Sequence, residues 1–262
     1  MAAVKELYRY RELVITLAER DLRVRYKQAV LGIAWALVTP LLLMIAFTLI
    51  FTRFTDVSAR GVPYPLFAAV GLVPWSFFST AFSRGGTSLV SNIPLLNKLY
   101  CPREVFPLAS VVLAFADAVA AGLVLAVLFP IAGFAPRLES LYAPPLLMIL
   151  LCFTLGITLA MSSIVVYVRD LQVVLPIIVQ FGLFVTPVGY ASKAVVHGSF
   201  GQAVYAALNP LAPVIDGLRR GILFGQAPLL VPTLIGAASS FLVLVVGFVL
   251  FKRMETGLAD IA

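Results

Sequence analysis

The chain has 262 residues, of which 61% are hydrophobic and 12% are charged, and its formal net charge is +7. Soluble domains contain about 25% charged residues, so this composition excludes an ordinary soluble protein and indicates a chain embedded in a membrane. The basic residues stand beside apolar runs, which favours contact with anionic lipid headgroups over binding of nucleic acid.

The N-terminal segment, residues 1–31, mixes charged and apolar side chains before the first long apolar run. Leucine and valine recur between the charges from residue 4 to residue 27, as in an amphipathic helix that lies in the membrane interface. We therefore predict a cytoplasmic interfacial helix here. The alternative is a solvated tail whose positive charge only orients the chain in the membrane. This segment is too long for the basic region of a usual signal peptide, so the apolar run is expected to be a retained helix.

Six apolar segments follow, and most are close to the roughly 20 residues that cross a bilayer as a helix. Prolines interrupt the second and the fifth, which predicts that these two helices pack inside the bundle, where neighbours satisfy the freed carbonyl groups. The predicted fold class is an all-α integral membrane protein with six transmembrane helices in a single domain, residues 1–262. The predicted spans cover residues 32–52, 64–83, 105–132, 144–168, 171–190 and 230–251.

Positive charge sets the predicted orientation of these spans. Thirteen lysine and arginine residues fall on the side of the two termini, against six on the other side. Cytoplasmic segments carry the excess of basic residues in membrane proteins. Both termini and residues 84–104 are therefore predicted to be cytoplasmic, and residues 191–229 to face outward.

The cytoplasmic segment over residues 84–104 is more apolar than a free loop. Its apolar anchors and polar ends suit a short helix that docks in a groove of a partner; the alternative is a helix that lies on the bilayer. Arg169-Asp170 closes a tight cytoplasmic turn between the fourth and fifth spans. Asp170 is placed to cap the N-terminus of the fifth helix, a structural role that competes with a role in coupling.

The outer segment over residues 191–229 is also too apolar for a free loop, yet too short for two more spans. An Asn209-Pro210 break precedes an amphipathic stretch, which predicts a short re-entrant or interfacial helix. Its charged residues, from Asp216 to Arg220, are expected to sit at the interface. The alternative is an ordinary folded outer loop.

The residue types that usually carry catalysis or bind metals are scattered. The single histidine, His197, is predicted in the outer segment, and Cys101 and Cys152 form no metal-binding or redox motif. No glycine is followed by lysine, so the sequence lacks the phosphate-binding P-loop. We therefore expect no catalytic residue, no metal site and no nucleotide-binding site, and the chain is predicted not to be an enzyme.

Asp117 is the one acidic residue well inside a predicted span. A carboxylate in lipid is costly, and such residues are functional candidates by default. The alternative is a hydrogen-bonded contact between helices in the bundle interior, which is favoured because the sequence shows no basic partner in a span.

Five stretches, in order along nearly the whole chain, resemble the ABC-2 type polysaccharide export permeases, and the Wzm-type O-antigen permeases in particular. These are the membrane subunits of ATP-driven exporters of O-antigen, capsule and teichoic-acid chains. Each stretch alone is degenerate, but five in order at six-span spacing are specific. The stretches are "RDLRVRYKQAVLGIAWALVTPLL" (20–42), residues 71–108, residues 166–190, "LNPLAPVIDGLRRGILFG" (208–225) and "FKRMETGLADIA" (251–262).

The resemblance implies a homodimer of six-span subunits with two copies of a cytoplasmic ATPase subunit, which would bind ATP and Mg while this chain binds no cofactor. It implies a lipid-linked polysaccharide substrate, O-antigen first, that passes through a channel at the dimer centre of a bacterial inner membrane. It also implies an N-terminal interfacial helix, a coupling element after the second span, and gate helices between the fifth and sixth. One departure is the short first outer loop, residues 53–63, which leaves little room for an accessory structure.

On this resemblance we assign three sets of residues. The predicted pathway residues are aromatic because aromatic faces can stack on sugars without strong directional bonds, although anchoring or packing explains any single one equally well. Coupling to the ATPase is assigned to Asn92, Ile93, Pro94, Leu95, Leu96, Lys98, Arg169 and Asp170; the substrate pathway to Trp35, Tyr64, Phe67, Trp75, Phe78 and Phe82; and the outer gate to Asn209, Pro210, Ile215, Leu218, Ile222 and Phe224.

Three other functions are less consistent with the sequence. A secondary transporter usually shows internal repeats and several polar groups at the membrane midplane, and here only Asp117 is found. A membrane-embedded enzyme would need clustered acids or histidines. An ABC-2 exporter of a drug or lipid would share the architecture and is the main alternative.

Overall fold

A computed structural model describes residues 9–27, 35–54, 61–96, 101–135, 137–192 and 198–255. The regular elements in these ranges are helices, which confirms the predicted all-α class. Lys98 and His197 lie outside the described residues. The helices are α1 (Arg11–Tyr26), α2 (Trp35–Phe54), α3 (Tyr64–Ser91), α4 (Ile93–Leu96), α5 (Val105–Ile131), α6 (Ala143–Tyr167), α7 (Leu171–Val185), α8 (Ser199–Leu208), α9 (Leu211–Ile222) and α10 (Leu230–Glu255), with a 3-10 turn (Leu138–Tyr142) before α6.

Four elements of the described chain are long and apolar enough to cross a membrane. They are α3, α5, α10 and the segment Leu138–Tyr167, which joins the 3-10 turn to α6. Helix α7 is shorter, over Leu171–Val185, and the part of α2 whose side chains are described is apolar over Val38–Ile50. At 1.5 Å per residue, α7 extends about 22 Å, less than the roughly 30 Å of a bilayer core.

Helix α3 lies at the centre of the subunit and packs against α2, α5, α6, α7 and α9. In its most apolar stretch 72% of the residues are buried, against 22% in α5 and in α10. This confirms that the second apolar segment packs inside the bundle despite Pro65 and Pro74.

Burial inside the bundle was also predicted for α7. Within this single chain that prediction was wrong, because Leu175 is the only buried residue of α7 among those described. Hydropathy predicts that a helix is shielded from water. It does not predict whether the same chain, another protein or lipid shields it.

Helix α3 is also longer than the predicted span, which ended at residue 83. It continues through Ser91, so the first part of the predicted cytoplasmic loop is helical. The small residues there allow this: Ser88 Oγ donates to the Gly85 carbonyl at 2.7 Å, within the helix, and Gly85 lies directly against Thr158 of α6. Polar but small side chains thus extend a membrane helix where another helix covers them.

Helix α1 falls in the segment predicted to be an amphipathic helix, and its apolar face packs on α5. Val14, Leu17 and Ala18 are buried in a cluster with residues from α3, α5, α6 and α10, including Phe106 and Phe251. The opposite face stays exposed. The helix therefore docks on protein along one side, and its placement in the membrane interface stays a prediction.

Candidate functional site

The predicted coupling segment is a single helical turn at the end of α3. Asn92 ends α3, and Ile93–Leu96 form α4, in which no residue is buried. Asn92 Nδ2 donates to the Ser88 carbonyl at 2.8 Å, and Arg20 Nη2 of α1 donates to Asn92 Oδ1 at 2.9 Å. Pro94 is exposed, whereas Leu95 and Leu96 pack partly against the subunit's own apolar cluster. The turn is thus fixed to α1 and α3 but still presents a surface.

Arg169 and Asp170 form the exposed turn between α6 and α7. Asp170 holds the N-cap position of α7, as predicted, but its side chain makes no capping hydrogen bond. The backbone carbonyl of Asp170 accepts from the amide of Val173 at 3.1 Å instead. The Asp170 carboxylate is therefore exposed, and helix capping does not explain why an aspartate occupies this position.

An ionic cluster that the sequence analysis missed joins the neighbouring helix ends. Glu104, only 2% exposed at the start of α5, pairs with Lys252 of α10, which also lies 2.9 Å from Glu255. The hydroxyl of Tyr167 in α6 donates to the Met254 carbonyl at 2.8 Å. The sequence signal for this cluster was the position of Glu104, an acidic residue directly before the apolar run of α5. These contacts fix the ends of α5, α6 and α10 to one another.

The aromatic residues predicted to line the pathway lie in the core of the subunit. Phe78 is centred 5.6 Å from both Phe82 and Phe153, and 5.5 Å from Trp75. The Tyr64 hydroxyl donates to the Gly189 carbonyl at 2.7 Å. Tyr64, Phe67, Trp75, Phe78 and Phe82 are all buried, so packing accounts for them in this single subunit. The side chain of Trp35 lies outside the described part of the chain, and the pathway role of all six residues stays a prediction.

Helix α7 carries two large aromatic residues that the core does not cover. Phe181 and Phe184 are 68% and 67% exposed, and Val173 and Ile177 continue the exposed surface toward the start of the helix. Their spacing of four, four and three residues places these side chains on one helix face. We call Val173, Ile177, Phe181 and Phe184 the α7 face.

Asp117 of α5 forms an ion pair with Arg25 at the end of α1. The carboxylate is 13% exposed, so the pair lies where α1 packs on α5. No basic partner could be found within the predicted spans, because Arg25 lies in the segment before the first of them. The geometry favours a contact between helices over an isolated intramembrane acid.

The predicted outer segment contains two short helices, with the break where it was predicted. Helix α8 ends at Leu208, Asn209 has a non-helical backbone, and α9 begins at Leu211 after Pro210. Ile215 and Leu218 of α9 are buried, and Ile222 and Phe224 are partly buried against the same core. Helix α9 packs against α3, α6 and the 3-10 turn.

Arg219 corrects the expectation that the charged part of α9 sits at the interface. It is 2% exposed, and its guanidinium lies 3.7 Å from the centre of the Phe67 ring. Helical spacing gave a signal for this, because Arg219 lies four residues after Ile215 and three before Ile222, on the apolar face. Asp216 and Arg220 are partly exposed.

Four backbone carbonyls surround the Arg219 guanidinium. Nε donates to Phe67 at 3.2 Å, Nη1 donates to Pro187 at 2.7 Å and to Tyr190 at 2.9 Å, and Nη2 donates to Val188. Gly71 of α3 lies against the guanidinium so closely that any side chain there would overlap it. Burial lowers the pKa of Arg219 to about 10, which still leaves it charged at neutral pH.

Further side-chain hydrogen bonds hold the same region. Asn209 Nδ2 donates to Thr186 Oγ1 at 2.9 Å, Ser192 Oγ donates to Asp216 Oδ2, and the Tyr205 hydroxyl of α8 donates to the Val185 carbonyl. Each of the three bonds has one partner in α8, in α9 or at the break between them. The other partner lies at the end of α7 or in the segment that follows α7. In the described residues, no group of three or more His, Cys, Asp or Glu is arranged to hold a metal ion.

Comparison with known proteins assigns the family. Residues 12–223 match the ABC-2 type transporter family. The chain belongs to this family. It is 31% identical over 258 residues to an O-antigen export system permease protein RfbA of Myxococcus xanthus, and the match covers 98% of each chain. Two proteins of the same name from Klebsiella pneumoniae are 27% and 26% identical over 251 residues, with 95% of each chain covered.

Proposed function

We propose that the chain is the membrane-spanning permease subunit of an ATP-driven exporter that moves a lipid-linked O-antigen polysaccharide across a bacterial inner membrane. The observation that carries this proposal is the 31% identity, over 98% of each chain, with an O-antigen export permease. Membership of the ABC-2 type transporter family and the four long apolar helices are consistent with it.

In this proposal six helices cross the membrane, with both termini in the cytoplasm. Helices α2 and α7 are the two spans in addition to the four long apolar helices. Two copies of the chain form the transporter, and the exposed apolar α7 face offers a surface on which they can pack.

The energy comes from two copies of a cytoplasmic ATPase subunit, which binds ATP and Mg. This chain has no glycine followed by lysine and so lacks a P-loop. The ATPase contacts α4 together with the exposed turn at Arg169 and Asp170. The short helices α8 and α9 form the outer gate.

Complementation of a permease deletion tests the function. A strain that makes lipid-linked O-antigen but lacks the permease should regain surface O-antigen when this chain and its ATPase are both expressed, and not when either is expressed alone. The measurement is surface labelling with an O-antigen antibody. If both proteins insert and assemble while the glycan stays in the cytoplasm, the substrate is not O-antigen. ATP-dependent efflux of a drug or lipid would then support the alternative exporter.

A further inference from the structure

We propose that Arg219 is a positioning residue that joins the gate helix α9 to the outer ends of α3 and α7, so that these elements move as one body during transport. This inference rests on the proposed exporter function and assigns a mechanical role to one side chain within it. We call Arg219, Phe67 and the segment 186–192 the outer joint.

The hydrogen bonds of Arg219 make the outer joint difficult to open. Its guanidinium is buried, and its N–H groups donate to four carbonyls from two separate parts of the chain, α3 and the segment after α7. Separating α9 from either part would leave a buried charge with unpaired donors, which is far more costly than separating apolar surfaces. The pieces are therefore expected to stay together through the transport cycle.

Independent side-chain contacts strengthen the same connection. Asn209 binds Thr186 just before α9, and Asp216 accepts from Ser192 in the middle of the helix. Together with Arg219 they fix α9 at three points along the segment 186–192. Three points of attachment restrict rotation as well as separation.

The opposite side of α9 is built differently. Gly217 lies against the Leu146 side chain of α6, and Gly221 lies against the Glu139 carbonyl of the 3-10 turn. A surface of bare backbone packs closely but has few directional contacts to lose when it slides or separates. Movement of the gate is therefore expected between α9 and α6, and not between α9 and the outer joint.

Helices α3 and α7 connect the outer joint with the proposed cytoplasmic end of the chain. Helix α3 runs from Tyr64, three residues before Phe67, to Ser91, and leads directly into α4. Its 28 residues extend about 42 Å at 1.5 Å per residue. Helix α7 begins directly after the exposed Arg169-Asp170 turn and ends at Val185. Helix α3, which Arg219 contacts, and α7, which leads into the segment that Arg219 contacts, thus each have one end at a proposed ATPase contact, so a displacement there reaches α9 through them.

Two engineered disulfides test which side of α9 moves, in a Cys101→Ser, Cys152→Ser background. The pair Ser192→Cys and Asp216→Cys links α9 to the outer joint at side chains already in contact. The matched pair Leu146→Cys and Gly217→Cys links α9 to α6, where the side chain at position 146, once shortened, makes room for a Cβ at position 217. Oxidation is expected to leave glycan export unchanged with the first link and to stop it, reversibly on reduction, with the second. Export blocked by the first link, or unaffected by the second, would overturn the proposal.

A charge-conserving substitution tests Arg219 itself. Arg219→Lys keeps the charge but loses the planar fork that reaches four carbonyls. Loss of one hydrogen bond to a charged group should raise the resting ion leak of the transporter in liposomes about tenfold. Glycan exported per ATP hydrolysed should fall while ATPase activity is retained, which a general loss of folded protein would not produce. Arg220→Lys is the control, since Arg220 donates to Ala227 in its own loop at 2.8 Å.

A tight seal and normal export per ATP in Arg219→Lys would overturn the role of this residue. If Arg219→Lys fails to insert in the membrane, the two disulfide variants still test whether α9 moves with the outer joint. The ion leak does not depend on the substrate. If the cysteine-free parent exports no glycan but Arg219→Lys still leaks, the proposed function is wrong and the outer joint stands.

Discussion

At the scale of single residues, glycines decide how closely the helices approach. Gly156 of α6 and Gly247 of α10 meet at a helix crossing, and a Cβ on Gly247 would overlap the carbonyl oxygen of Gly156. Backbone, unlike the end of a flexible side chain, cannot move aside at low cost. Small residues of this kind are typical of contacts between membrane helices.

Gly247→Leu should therefore push α10 away from α6. We expect a loss of about 2–3 kcal/mol in the free energy of unfolding, as for other overpacked sites, and a lower melting temperature in detergent. The control is Gly122→Leu in α5, because a Cβ at Gly122 meets nothing within 4 Å in the subunit. Equal melting temperatures for the two variants would contradict the close crossing.

The Arg25–Asp117 pair predicts a measurable coupling between α1 and α5. Asp117→Ala should loosen α1 from α5 and speed proteolytic cleavage within α1, because a partly buried cation loses its carboxylate. In a double-mutant cycle with Arg25→Ala, the coupling energy should be about 1–3 kcal/mol. Additive effects of the two substitutions would show that the pair contributes nothing to the docking of α1.

The residue scale is also where the sequence predicts least. Asp117 could be selected from its place in an apolar run, but its partner lies 92 residues away along the chain and is one of several arginines there. Arg219 and Arg220 are neighbours with the same chemistry. Only the helical register separates the buried residue from the partly exposed one.

At the scale of elements, the predicted contact between α4 and the ATPase is best tested at Pro94. Leu95 and Leu96 pack partly on the subunit's own cluster, so replacing them would disturb folding as well as docking. Pro94 is exposed. Pro94→Asp should leave insertion intact but reduce export strongly, because a charge in an apolar docking contact is costly when buried.

Two measurements check this prediction. Co-purification should show weaker binding of the ATPase to Pro94→Asp, and export should fall with it. Leu138→Asp in the 3-10 turn is the control, since Leu138 is also apolar and exposed. Normal ATPase binding and export in Pro94→Asp would show that α4 is not the docking site.

In the proposed dimer, the α7 face predicts where the two copies of the chain meet. In the Cys101→Ser, Cys152→Ser background, Phe181→Cys should form a disulfide-linked dimer on oxidation, because the α7 faces of the two copies would cover each other. Phe241→Cys on α10 is the control, with a similarly exposed phenylalanine on another helix. Monomers only, or equal dimer formation at both positions, would place the interface elsewhere.

Element by element, composition predicts helices well and their surroundings poorly. The apolar runs and the Asn209-Pro210 break were enough to place α3, α5, α6, α9 and α10, whereas a helix before the break was implied only by the family resemblance. The extension of α3 to Ser91 was missed because Gly85, Gly86 and Ser88 resemble a loop until Thr158 and Leu175 are seen against them. The exposure of α7 was missed because an apolar helix has the same sequence whether its own subunit covers it or not.

At the scale of the whole molecule, the chain has the architecture of a transport subunit that depends on partners. Its centre is α3, one end presents α4 and the Arg169-Asp170 turn, and the other end carries α9 held by Arg219. The family match supports a transporter in which this subunit provides the path and another supplies the energy. The central claim is therefore that glycan export needs both.

Reconstitution tests that claim most directly. The purified chain, with and without its ATPase, is placed in liposomes with the lipid-linked O-antigen, and glycan that crosses the bilayer is measured by its sensitivity to an added glycan-cleaving enzyme. We predict that glycan crosses only when the chain, the ATPase and hydrolysable ATP are all present. Glycan that crosses with the chain alone, or that stays in place while the complete complex hydrolyses ATP, would contradict the account.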